Sequence, residues 1–82
     1  MTDKYKETEE KIKALLAEHL GTDPDDIDNE DFFIDDLNMR TVDFSDFFKL
    51  LSDNNFAVEN LEITDIKTVG DLIDIICSEE NI

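Results

Sequence analysis

Asp36-Leu37-Asn38-Met39-Arg40-Thr41-Val42-Asp43 is the stretch on which the fold turns. It joins a non-periodic segment to a periodic one. From Thr41 onward, Val42, Phe47, Leu50 and Leu51, joined by Phe44 and Phe48, recur at helical spacing. Asp43, Asp46, Lys49 and Asp53 fall elsewhere on the same helix. The spacing predicts a helix over about Thr41–Asn54. The Thr41 hydroxyl is expected to cap its start. Asn54-Asn55 is expected to stop it, because asparagine tolerates the left-handed backbone.

Upstream, Tyr5, Ile12, Leu15, Leu16, His19 and Leu20 share one face of a first helix over about residues 3–20. Thr2 or Asp3 is placed to cap it, and Gly21 to end it. Thr22–Glu30 reads as a loop with Pro24, pinned to the core by Ile27. Phe32, Phe33, Ile34 and Leu37 then form a long, partly ordered connection whose Phe residues are expected to be buried. Downstream, Phe56 and Val58 return to the core. Leu61, Ile63 and Ile66 pin one or two helical turns. The last helix starts at Thr68, where Thr68 and Asp71 have capping-box spacing, and buries Val69, Leu72, Ile73 and Ile76. The extreme ends, Met1–Asp3 and Ser78–Ile82, are expected to fray. No alternating strand pattern stands out. The expectation is one all-α domain over residues 1–82: a small four-helix bundle of three main helices plus a short third one.

The charge is lopsided. Twenty-three acidic residues face 7 basic ones, a formal net charge of −16. Lys4, Lys6, Lys11 and Lys13 balance Asp3, Glu7, Glu9 and Glu10, so the whole excess lies beyond residue 13. Phosphates and anionic lipid repel such a surface, which argues against nucleic acid and membranes and for basic protein patches as partners. Nothing in the sequence suggests a signal segment or a bilayer span, which sets the expectation of the cytoplasm, or of an organelle matrix if a transit peptide was removed; a monomer is expected. Cys77 has no partner for a disulfide and reads as a small core or boundary residue. The acidic run from Asp23 to Asp31 lacks the glycine, the ligand spacing and the terminal glutamate of a calcium loop, so no metal site is expected. His19 reads as a boundary residue near a helix end. No nucleophile–base order or phosphate-binding glycine loop points to an enzyme.

These pieces, in this order, resemble the acyl carrier protein family over nearly the whole chain. His19-Leu20-Gly21 is similar to the family's first helix end. Phe33…Asp36-Leu37 resembles its Phe-x-x-Asp-Leu segment. Asp36–Asp43 falls on Asp-Leu-Gly-x-Asp-Ser-Leu-Asp, and Ile66-Lys67-Thr68-Val69-Gly70-Asp71-Leu72 resembles the opening of its last helix. The resemblance implies docking on acyl-transfer or carrier-recognising enzymes through carboxylates around the second helix, here Asp35, Asp36, Asp43 and Asp46, with Arg40 among them. It also implies that 4′-phosphopantetheine, joined to the serine hydroxyl by a transferase, would sit on Thr41. Its thiol then carries acyl groups as thioesters.

Three departures meet at that point: Thr41 replaces the serine, Arg40 the preceding aspartate and Asn38 the glycine. The threonine methyl crowds in-line attack and stiffens χ1. Arg40 reverses a charge where the modifying enzyme docks by basic residues. Poor loading is therefore predicted, and no bound cofactor is expected other than 4′-phosphopantetheine on Thr41. Ser45, one turn inside the helix, is a weaker attachment point. Two other classes remain open: a working carrier modified on Thr41, and a generic acidic interaction module. Inward-pointing Phe32, Phe44 and Phe48 would fill the space in which carriers shelter acyl chains.

Overall fold

A computed structural model describes residues 3–59 and 61–80, with Glu79 and Glu80 as backbone only. Three α-helices, α1 (Lys4–Leu20), α2 (Thr41–Asp53) and α3 (Val69–Glu80), pack with two single 3₁₀ turns, Pro24–Asp26 and Ile63–Asp65. Helix α1 lies against both α2 and α3. The expected short third helix is the Ile63–Asp65 turn, closed by the Ile66 N–H on the Ile63 carbonyl at 3.2 Å. Among the described residues there is no strand, only an isolated antiparallel bridge between Phe32 and Thr68.

Helix ends follow their local chemistry. The Asp3 carboxylate accepts the N–H groups of Tyr5 and Lys6 at 3.1 and 3.4 Å. Asp3 is thus an ordered cap, not part of a frayed end, because those first-turn amides have no carbonyl partner of their own. Ser78 likewise lies within α3. The Thr2 alternative, and fraying at Met1, Thr2, Asn81 and Ile82, fall outside the described residues. Gly21 ends α1 at φ 73°, and the Thr22 N–H reaches back to Ala17 at 2.9 Å. At the end of α2, Asn55 takes the left-handed conformation at φ 70°. The Phe56 and Asn55 N–H groups close on the Leu51 and Ser52 carbonyls, both at 3.0 Å. That is the double closure of a Schellman turn, with Phe56 and Leu51 packed into the core behind it.

The core is one cluster. Ile12 and Leu16 of α1 meet Phe44, Phe47 and Leu51 of α2 and Val69, Leu72, Ile73 and Ile76 of α3, all essentially without solvent contact. Ile27 pins the first loop as expected, and Thr8, Ala17 and Met39 are buried as well. Tyr5 bridges α1 to α3: burial pushes its phenol up to about 12, and the Asp74 carboxylate beside it acts in the same direction.

Two apolar expectations are corrected. Phe33 is fully buried, but Phe32, at an isolated bridge to Thr68 where the chain enters a turn, is 45% exposed. Val42 was expected on the buried side of α2 and is 61% exposed. At the second position of the helix it sits beside the buried stripe that starts at Phe44.

The long connection is not loose. The Phe33 N–H bonds the Lys67 carbonyl at 3.0 Å, the Val69 N–H bonds Asp31 at 3.0 Å, and the Gly70 N–H bonds Asn29 at 2.8 Å. The Asn29 side chain also donates to Glu9 of α1 at 2.7 Å. This stitching fixes where α2 begins.

Candidate functional site at the start of the second helix

Phe32 and Asp36 close a tight turn on each other. The Asp36 N–H bonds the Phe32 carbonyl at 2.9 Å, and the Asp36 carboxylate accepts the Phe32 N–H at 2.7 Å. The Met39 N–H returns to the Phe33 carbonyl at 2.8 Å. Between them Asn38 stands at φ 57°. Asparagine holds that left-handed position at little cost, so its replacement of glycine leaves the turn intact.

The chain then enters α2 one residue earlier than a capping Thr41 requires. Arg40, extended at φ −107° and ψ 173°, is the N-cap, and Thr41 is the first helical residue. The expected capping role of Thr41 is therefore wrong. A residue already turned into the helix cannot swing its hydroxyl onto the amides two or three positions on. The Asp43 carboxylate accepts the Arg40 N–H at 2.8 Å. The reciprocal half of a capping box is missing, since a guanidinium has no acceptor for a backbone amide.

Thr41 is left exposed, with its hydroxyl at the positive end of the helix. Arg40 beside it has a side chain that is 82% exposed, and its Nε lies 3.9 Å from Asp43 Oδ2. Asp35 and Asp46 are exposed and, among the described residues, make no internal hydrogen bond or ion pair. Asp36 and Asp43 each commit one oxygen to the backbone. The five carboxylate and guanidinium groups expected to meet partners therefore share the entry to α2, but only Asp35 and Asp46 are wholly uncommitted. Ser45 is exposed within α2.

Sequence reasoning missed the apolar part of this region. Among the described residues the large hydrophobic side chains left exposed are Phe32, Ile34 and Val42, all within eight residues of Arg40 along the chain. Phe32 and Ile34 also border a surface groove of about 460 Å³ whose far wall is Ile63 and Ile66. Phe44 stacks edge-on against Phe33 at 5.3 Å, with Phe48 6.0 Å from Phe44 and half-buried. Of the three Phe residues whose place in an acyl-sheltering space the sequence left open, Phe44 is buried, Phe48 is half-buried and Phe32 is exposed.

The donor set fits a phosphodiester: an exposed hydroxyl to carry the ester, a guanidinium next to it, and helix amides without a side-chain cap. Such a group would supply a flexible thiol for thioester chemistry. Thr41 would bear it and Arg40 would lie beside its phosphate.

The acidic domain of three α-helices thus presents an exposed hydroxyl at the entry to its second helix. The chain is 30% identical over 74 residues to the acyl carrier protein of Chlamydia muridarum, covering 89% of this chain and 96% of that one. The acyl carrier protein of Thermosynechococcus vestitus is 36% identical over 69 residues, covering 82% and 84%. No family model matches the chain. The chain belongs to the acyl carrier protein family. It is an acyl-carrier-like protein of acyl metabolism and not an enzyme.

Proposed function

We propose that this chain docks on acyl-transfer enzymes through the carboxylates around α2, and that phosphopantetheine loading at Thr41 is slow with transferases adapted to Asp-Ser carriers. The observation that carries this reading is the Arg40-Thr41 pair, exposed at the start of α2, with Asp43 against Arg40 and Asp35, Asp36 and Asp46 within six residues of it along the chain. A partner with a basic patch is drawn to these carboxylates, while a positive guanidinium stands among them in the sequence. The protein acts as a monomer in the cytoplasm.

Intact mass after incubation with coenzyme A and a broad-specificity transferase tests it. The expected result is little added mass on the native chain and full loading of the Thr41→Ser, Arg40→Asp double variant. Rapid loading of the native chain, lost in Thr41→Ala, would make it an efficient carrier instead. One observation favours that second reading: Thr41 is not consumed as a helix cap, so nothing in the fold competes for its hydroxyl.

A further inference from the structure

Arg40 has no evident structural reason to be where it is. The N-cap position favours side chains that accept hydrogen bonds, and arginine accepts none. Among the described residues its only ionic contact is Asp43 Oδ2, at 3.9 Å. That oxygen is already occupied at 2.8 Å by the Arg40 N–H. An exposed pair of this kind contributes little to stability. Arg40 is also the only Lys or Arg between Lys13 and Lys49, within the most acidic part of the chain. Its guanidinium is therefore a lone, accessible donor fork one residue from the exposed Thr41 hydroxyl.

We infer that Arg40 is a positioning residue for a phosphodiester carried on Thr41, pairing with its non-bridging oxygens. This rests on the reading of Thr41 as the attachment position. Guanidinium and phosphate match as a planar fork against two oxygens, which an ammonium cannot reproduce. An aspartate at position 40 would repel the same group. The arm of this protein is thus held at its root, where a carrier with an acidic neighbour leaves it free.

The test uses the full chain, native or Thr41→Ser, loaded from coenzyme A and checked by mass. On loading, the Arg40 Nε–H resonance shifts and its exchange with water slows about two- to fivefold, and both effects fade near 1 M salt, where the Debye length is ~3 Å. The ³¹P resonance of the loaded chain moves in Arg40→Gln and is partly restored in Arg40→Lys. A ³¹P spectrum indifferent to Arg40→Gln, with the Arg40 resonance unmoved by loading, overturns the inference while leaving the attachment reading intact. A change only in transferase rate in Arg40→Gln also overturns it, assigning Arg40 to enzyme recognition. If neither Thr41 nor its serine variant takes the mass, the attachment reading fails and this inference with it.

Discussion

Helices α2 and α3 begin with related chemistry used in opposite ways. At α3, the Thr68 hydroxyl accepts the Asp71 N–H at 3.2 Å, and the Asp71 carboxylate accepts the Thr68 and Lys67 N–H groups at 3.1 and 3.2 Å. At α2, Asp43 sits three residues after Arg40 and makes its half of the same exchange, but the threonine has moved one place into the helix. One threonine is spent on structure and the other is left to solvent. A hydroxyl at a helix start thus becomes available for chemistry when the residue before it takes over the cap. Here that residue is one that caps poorly.

The largest expected effect tests whether the core, and not the incomplete box, holds the start of α2. Phe44→Ala should cost about 3–5 kcal/mol in urea unfolding, much of the stability of a small domain. A loss under 1 kcal/mol would mean that the first turn of α2 is anchored elsewhere. Next, Thr68→Ala should cost on the order of 1 kcal/mol, against less than about 0.5 kcal/mol for Thr41→Ala. Equal losses would erase the contrast between the two threonines. Arg40→Ser completes the box at α2 and should stabilise by roughly 0.5–1 kcal/mol in the same assay. An unchanged or lower midpoint would show that Arg40 supports the fold after all.

The smallest effect is a pH dependence. The N–H of Thr68 holds the Asp71 carboxyl below its ordinary value, with help from Lys67 and against some desolvation. The folded chain therefore binds that proton less readily than the unfolded one. The stability this confers is complete above the ordinary aspartate value and is lost as pH falls through the lowered one. Asp71→Asn should flatten that acid limb in a pH series of thermal melts. Asp43→Asn is the companion measurement at α2. An unchanged acid slope for Asp71→Asn would remove the electrostatic part of the α3 cap.

The parts of this fold that depend on neighbours in sequence were legible in it. The run of α1 to Gly21, the stop at Asn54-Asn55 and the Thr68–Asp71 box all rest on contacts within one or two turns. What escaped was set across the chain. Whether Phe32 or Phe33 faces inward depends on pairing with Lys67 and Thr68, which periodicity does not encode. The one-residue shift that makes Arg40 the cap and frees Thr41 depends on Met39 being drawn to Phe33. Composition marks Asp35, Asp36, Asp43 and Asp46 as charged and near α2. It does not reveal that two of them also carry backbone hydrogen bonds, nor that Ile34 and Val42 stand exposed near them.

The stitching of Asn29, Asp31 and Phe33 to Lys67, Val69 and Gly70 has a consequence for timing. Closures between distant parts of a chain carry the largest entropic penalty and come late in folding. During synthesis, Thr41 emerges well before Lys67–Gly70 exist to fix the turn that leads into α2. An enzyme that read the shape around Thr41 would therefore meet that shape only on finished molecules.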